Sequence, residues 1–520
     1  AATLQADLEA LGMIRGARFG RMVSGLLPVD RIGELEDLTS LHVAQPALAA
    51  VSRGSINSRG DRAQRSRQAR GREKVKGRGI RVGVLSDSYD CLGGAADGIA
   101  SKDLPPARKI DVLQEGPCPA SDEGRAMMEI VADVAPASFQ SFHSAFNGQA
   151  DFATGIIELQ QGGADVIVDD IIYFAEPMFQ DGIIAQAIDQ VVADGAAYFS
   201  SAGNNGRDSY ESAFNSSGTT GPGGALRHDF DPGPGVAPLQ AVTLQPGANF
   251  SLVLQWDEPA FSVSGAPGAQ SDVDVVFYLD AAGTQVITAS ADNNIGGDPV
   301  EITGLSYPAT APGPVTVYLG IELFAGAQPG LIKYVLFDSG PAGSASFAFA
   351  TNSSTSYGHA TAVGAMATGA AAWFNTELYS DTCKPACLNS FSSAGGIPIF
   401  FDTQGNRLAQ PDVRLKPEVV GPDGTNNTFF GADITFLPPE LGENDGFPNF
   451  FGTSASAPHV AGVAALMLEK APTITPEGIY NVLEATAKDM NEPGPDFDTG
   501  FGFINARAAV AAAPAEAGEE

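Results

Sequence analysis

A chain of 520 residues, 44% of them hydrophobic, has the length of two to four units of about 150 residues and the material for large buried cores. Its formal net charge of -32 argues against nucleic acid as a partner, since phosphate binding wants clustered positive charge. The longest apolar stretches are broken by charges or Gly well short of the ~20 residues of a transmembrane helix, so no membrane association is expected either.

Residues 1–50 mix short polar and apolar pieces, among them Ala17-Arg18-Phe19-Gly20-Arg21-Met22-Val23 and the helical-looking Val29 to Leu35, and suggest a small α+β module. The start at Ala1 rather than Met leaves room for a targeting segment already removed. Residues 51–79 read as an exposed Arg-rich linker and a candidate processing region. Positions 53 to 81 hold eleven Arg/Lys against Asp61 and Glu73, while the rest of the chain has 18 basic and 59 acidic residues.

From Ile80 the pattern becomes apolar strands separated by amphipathic segments. The strands are Ile80 to Leu85, Ser138 to Ser144, Ala164 to Val168 and Ala196 to Ser200, with helices over Glu123 to Val134 and Asp181 to Ala193. Strand, helix, strand in repetition predicts an α/β fold with a mainly parallel sheet covered on both faces. Ligands in such sheets lie beyond the carboxyl ends of the strands.

Residues 222–350 differ: alternating strands such as Ala241 to Leu244, Asn249 to Gln255, Val273 to Leu279, Val315 to Ile321 and Ser344 to Ala350 are parted by Gly/Pro/Asp turns. This predicts an antiparallel β-sandwich inserted into the α/β unit, which then spans 80–221 and 351–510. Asp272 and Asp274 share one strand face, as a structural calcium site or as solvated surface carboxylates. Residues 511–520 read as a frayed Ala/Glu tail. Four cysteines fall into two close pairs, Cys91 with Cys118 and Cys383 with Cys387, which favours disulfides in an exported protein over a zinc site.

Chemistry concentrates in four segments. Gly452-Thr453-Ser454-Ala455-Ser456-Ala457-Pro458-His459-Val460-Ala461-Gly462 puts a serine in a small-residue turn opening a helix, where N–H groups point at developing negative charge. Ser201-Ala202-Gly203-Asn204-Asn205-Gly206 follows a strand, and Arg81-Val82-Gly83-Val84-Leu85-Ser86-Asp87-Ser88 is an apolar strand ending in Asp. Together these resemble the nucleophile, oxyanion and aspartate motifs of the subtilisin-like serine proteases. The resemblance implies Ser454 as nucleophile, Asn204 as oxyanion donor and Asp87 as orienting carboxylate, with Asp90 the alternative. It also implies a subtilisin-like fold and a protein or peptide substrate, and residues 1–50 resemble in size and position the tail of that family's pro-domain, with a plain N-terminal cap as the alternative. Phe497 to Ala506 is similar to the closing motif of that family's core.

The fourth segment departs from the family. Where its catalytic His-Gly-Thr opens a helix, this chain reads Asp122-Glu123-Gly124-Arg125, and Glu123 occupies the place of the histidine. A serine hydroxyl needs a base within hydrogen-bond reach. The sedolisins, relatives of subtilisin, use Glu in this role; their aspartate four residues later is here Met127. His459, five residues past Ser454 on one helix, faces about 140° away. His143 lies in a buried-looking strand, His42 and His228 lie outside the core, and His359 is the reserve base. Two close carboxyls share one proton, so the expected site has a protonated Asp87 donating to Glu123 and an optimum on the acidic side of neutrality.

Asp169 and Asp170 fall where subtilases begin the strand lining the specificity pocket, and are candidate substrate-binding or proton-sharing carboxyls. The reading that results is a secreted serine endopeptidase. Its rivals are an inactive binding or structural protein on the same scaffold, for which the missing histidine speaks, and an esterase or acyl transferase.

Overall fold

The computed structural model describes residues 2–44, 49–50, 58–340, 343–443 and 445–514. Seven strands make one parallel sheet: β1 Arg81–Ser86, β2 Ile110–Gln114, β3 Phe139–Ser144, β4 Val166–Asp169, β5 Ala197–Ser201, β6 Ala365–Ala372 and β7 Val419–Asp423. Their order is β7-β6-β5-β4-β1-β3-β2, and every neighbouring pair runs parallel.

Successive side chains of a strand point to opposite faces, and both faces here are covered, which is why the strands read as unbroken apolar runs. On one face Val82, Val84, Val166, Val168 and Phe199 pack with helices α1 Glu123–Val134 and α4 Thr453–Lys470. On the other, Leu85, Ile167 and Tyr198 meet α2 Gln149–Gln161 and α3 Ile183–Ala193. This α/β architecture is the expected one.

Two antiparallel sheets lie between β5 and β6. Four strands, Ser209–Ala213, Leu331–Asp338, Asn249–Trp256 and Val300–Ser306, form one; Ser271–Tyr278 and Val315–Gly326 are central to the other. Alternate residues Phe250, Leu252, Leu254 and Trp256 meet Val273, Val275, Phe277, Leu319 and Ile321 in a shared core. The sheets begin at Ser209, before the expected 222, because Ser209–Ala213 and the Ser216–Thr220 strand lack apolar alternation. Asp272 and Asp274 are not solvated: both are buried, and burial, then Asp272 and Glu322, push Asp274 up to about 7. Among the described residues no group of three or more His, Cys, Asp or Glu is arranged to hold a metal ion.

The N-terminal residues form a helix, Ala2–Ala10, and a hairpin of Ile14–Phe19 with Met22–Leu26 that lies on α2. Phe19 and Met22 join the core of that face. The Arg-rich stretch is not an exposed linker. Within its described part, helices Gly60–Ala63 and Ser66–Glu73 pack with Ala63, Ala69 and Val75 buried. Four of its arginines make ion pairs, Arg59 with Glu443, Arg65 with Glu377, Arg70 with Asp61 and Arg78 with Glu469. Residues 51–57 of that stretch lie outside the described residues, as do 515–520 of the expected tail, whose beginning is the end of a helix, Ala506–Ala512. Both disulfides form as paired in the sequence.

Candidate active site

β1 delivers Asp87 to the carboxyl edge of the sheet, 3% exposed. Its Oδ1 accepts the Ser88 N–H and the Glu123 N–H (2.9 Å); its Oδ2 accepts the Ser121 N–H (2.7 Å) and hydroxyl (2.6 Å). The carboxylate is therefore a fixed acceptor at the start of α1. This corrects the expectation of a protonated Asp87 donating to Glu123, since its oxygens are already filled by donors.

Glu123 opens α1 in a tightly built turn. Asp122 before it takes a left-handed φ of 58° and accepts from Ser88 Oγ, the Cys91 and Leu92 N–H groups and Arg125 Nη2, while the Cys91–Cys118 disulfide closes the loop. The Glu123 carboxyl is wholly buried, and neither oxygen accepts a regular hydrogen bond. It faces Asp170, Asp87 and the Ser454 hydroxyl. Burial first, then the charges of Asp170 and Asp87, hold it well above the usual carboxylate range, with the Ser454 hydroxyl opposing.

Ser454 lies in the first turn of α4. Gly452 at the turn has φ 124°, a value that favours glycine, and its N–H donates to Asp423 Oδ2 (2.9 Å). The Ser454 hydroxyl is buried without a regular partner. Asn204, at the end of β5, accepts the Thr453 N–H (2.9 Å) and hydroxyl (3.0 Å) through Oδ1. That fixes the amide, and its Nδ2 is buried without an acceptor.

Asp170 follows β4, 4% exposed, its oxygens without a regular donor. Asp169 turns the other way, accepting from Ser200 Oγ (3.1 Å) and His359 Nε2 (3.0 Å), so it is not open to a substrate. His359 Nδ1 contacts Glu176 at 2.8 Å. Burial alone would lower the His359 imidazole, but Glu176 and then Asp169 carry it up to about 10. With both ring nitrogens held by carboxylates, His359 is no base for Ser454. His459 points to Ala455 O and Ser58 Oγ, and burial lowers it to about 4. His143 is buried on the Ser144 carbonyl, and His228 lies within the sandwich on Tyr210.

Two supporting residues escaped the sequence reading. Thr453 orients Asn204, and Asp423 pins Gly452 while accepting from Asn389 Nδ2 (2.7 Å), its carboxyl pushed up to about 7 by burial. The signal for Asp423 was present: Val419-Val420-Gly421-Pro422-Asp423 is, like the Asp87 segment, a strand ending in an acid.

The sequence profile described as "Subtilase family" (Peptidase S8) matches residues 150–502, over two thirds of the chain. The chain belongs to the subtilase family. The match takes in Asn204 and Ser454 but begins after Asp87 and Glu123. Among individual subtilases, Fervidolysin of Fervidobacterium pennivorans is 43% identical over 109 residues, 21% of this chain and 15% of that protein. Subtilisin DY of Bacillus licheniformis is 30% identical over 183 residues, 35% of this chain and 58% of that one. This subtilase thus spans well under two thirds of the length of the curated relatives it matches. The Clostridium perfringens CspB protease structure covers 87% of this chain and 98% of its own at TM-score 0.50 and 16% identity, a likeness of fold.

Proposed function

We propose that this subtilase is an exported serine endopeptidase acting on proteins or peptides through an acyl-enzyme at Ser454, with Glu123 as base. The observation that carries the reading is the convergence, at the carboxyl edge of one sheet, of the Ser454 hydroxyl, the Glu123 carboxyl and the Asn204 amide nitrogen, all buried and without regular partners. In the attack step the Ser454 proton passes to ionised Glu123 as Oγ bonds to the substrate carbonyl carbon. The carbonyl oxygen takes the displaced electron pair and is met by Asn204 Nδ2. As the C–N bond breaks, Glu123 returns the proton to the leaving amine. Asp87, holding the Glu123 N–H, keeps the base in place.

Burial keeps Glu123 protonated to higher pH than an ordinary glutamate, so activity is expected to rise as its carboxyl ionises. The proposed optimum lies below neutrality, acid-shifted relative to a histidine base. Export is supported by the two disulfides and by the likeness to an extracellular serine protease of Serratia marcescens, 41% identical over 71 residues. No helix among the described residues is long and apolar enough to cross a membrane.

The N-terminal segment, residues 1–50, is proposed as a pro-domain-like cover. Its Ala49–Ala50 backbone pairs antiparallel with Ile172–Tyr173, just past Asp170, on the strand where the family binds substrate.

Fluorophosphonate labelling between pH 3 and 8 tests the reading. Labelling is expected in wild type and in a folded His359→Gln variant, and lost in Ser454→Ala and Glu123→Gln. No labelling of folded wild type at any pH would instead indicate a binding or structural protein.

A further inference from the structure

We propose that Asp170, not Asp87, is the carboxyl with which Glu123 shares a proton, which makes Asp170 a positioning residue for the base. The inference rests on the reading of Glu123 as base. Leu85 of β1 lies opposite Asp169 of β4 in the parallel register, so Ser86 and Asp170 come next, at the edge where α1 begins. Four carboxyl oxygens, two from Glu123 and two from Asp170, are buried there without a regular N–H or O–H donor. Two carboxylates cannot hydrogen-bond each other, and an unanswered buried charge costs several kcal/mol; the donor that remains is a proton of their own.

Asp87 is excluded from this role by its own bonds, which already bring donors to both oxygens. The groups that face the pair are Asp87 at the end of β1, Asp169 on β4, the Ser86 hydroxyl and the Ser454 hydroxyl on α4. None of them is a cation. His359 spends its charge on the far side, on Asp169 and Glu176. Both members of the pair accordingly lie well above the usual carboxylate range, burial being the first cause for each; the bond between them raises Glu123 and lowers Asp170, so the resting proton is on Glu123 and the working state is the one in which it has passed to Asp170.

In the working state one proton stays on Asp170 and is donated to ionised Glu123, which then faces Ser454 in a fixed orientation. Asp170 keeps that proton through the acylation cycle. Loss of it at higher pH sets two charges side by side and produces the alkaline limb of a bell-shaped profile.

The test compares pH–rate profiles of the full chain for wild type, Asp170→Asn, Asp170→Leu and Glu123→Gln, with a peptide substrate and a fluorophosphonate, each variant checked for folding by circular dichroism. An amide can donate to Glu123 but has no proton to lose. Asp170→Asn is therefore expected to stay within about 10-fold of wild type at the optimum and to lose the alkaline limb, while Asp170→Leu falls by about 100-fold or more. An Asp170→Asn profile superimposable on wild type, or a fully active Asp170→Leu, overturns the inference. Glu123→Gln separates the two levels: wild-type rates there sink the base itself, whereas an inactive Glu123→Gln beside an unchanged Asp170→Asn profile sinks only the role of Asp170. Should turnover be absent, infrared difference spectra decide. A protonated-carboxyl stretch is expected in the difference between wild type and Asp170→Asn at pH 7, where the other buried carboxyls raised to about 7 cancel; its absence from that difference overturns the proposal.

Discussion

Asn204 shows how a single side chain is fixed before any substrate arrives. Its Oδ1 is occupied by two donors from Thr453, so the amide cannot flip, and Nδ2 is left without an acceptor, as the proposed oxyanion role requires. Asn204→Ala is expected to lower kcat by about 10²- to 10³-fold with little change in KM, the scale measured for the corresponding donor in subtilisin, a member of the same family. Steady-state kinetics on a peptide substrate check this. Ser454, Asn204 and Asp87 are the candidates that the motifs name, and Glu123 is the candidate that stands where the chain departs from one. The motifs do not decide the partner of Glu123, for which Asp87 is expected and Asp169 and Asp170 are candidates. Both Asp87 and Asp170 end adjacent strands, and only the count of donors already bound to Asp87 tells the two apart.

At the scale of elements, β1, β3, β4, β5, α1 and α3 were legible to within two residues, Glu123–Val134 being expected and found, while β2, β7 and α2 were not named. β6 was not legible, for its sequence is Ala365-Met366-Ala367-Thr368-Gly369-Ala370-Ala371-Ala372, dominated by Ala and Met, which favour helices. It is a strand because α4 crosses it closely, with Ser456 Oγ donating to Gly369 O at 2.7 Å, and only small side chains fit beneath. The start of α1 is equally tight. A Cβ on Gly124 would meet Phe142 at 2.3 Å and Ser88 O at 2.8 Å. Gly124→Ala is expected to cost about 1–3 kcal/mol by overpacking and, because Glu123 moves with the turn, to reduce kcat by at least about 10-fold. Thermal melting beside kinetics measures both.

For the whole molecule, buried titration sets how stability follows pH. Glu129, Glu301, Glu418, Asp274 and Asp423 are pushed up to about 7, chiefly by burial. A carboxyl raised in the folded state contributes stability that is present below its unfolded value and lost as pH climbs through the folded one, here between about 4 and 7. His359, raised to about 10, contributes below about 6.5 and loses that contribution on the way to 10. His228 and His459, lowered to about 4, oppose this by favouring the fold above 6.5 and failing as pH falls through 4. The net charge of -32 adds self-repulsion that acid relieves. The melting temperature is therefore expected to be higher at pH 5 than at pH 8 and to fall below pH 4; calorimetry across that range measures it. A fold expected to be firmest in weak acid suits the proposed carboxyl base.

That base is tested most directly by the pH dependence of kcat/KM for wild type beside Glu123→Gln. The structure predicts a bell-shaped wild-type profile with its maximum below neutrality and a Glu123→Gln loss of about 10²- to 10⁴-fold throughout. A wild-type rate still rising past pH 8, or a Glu123→Gln variant as fast as wild type, would contradict it.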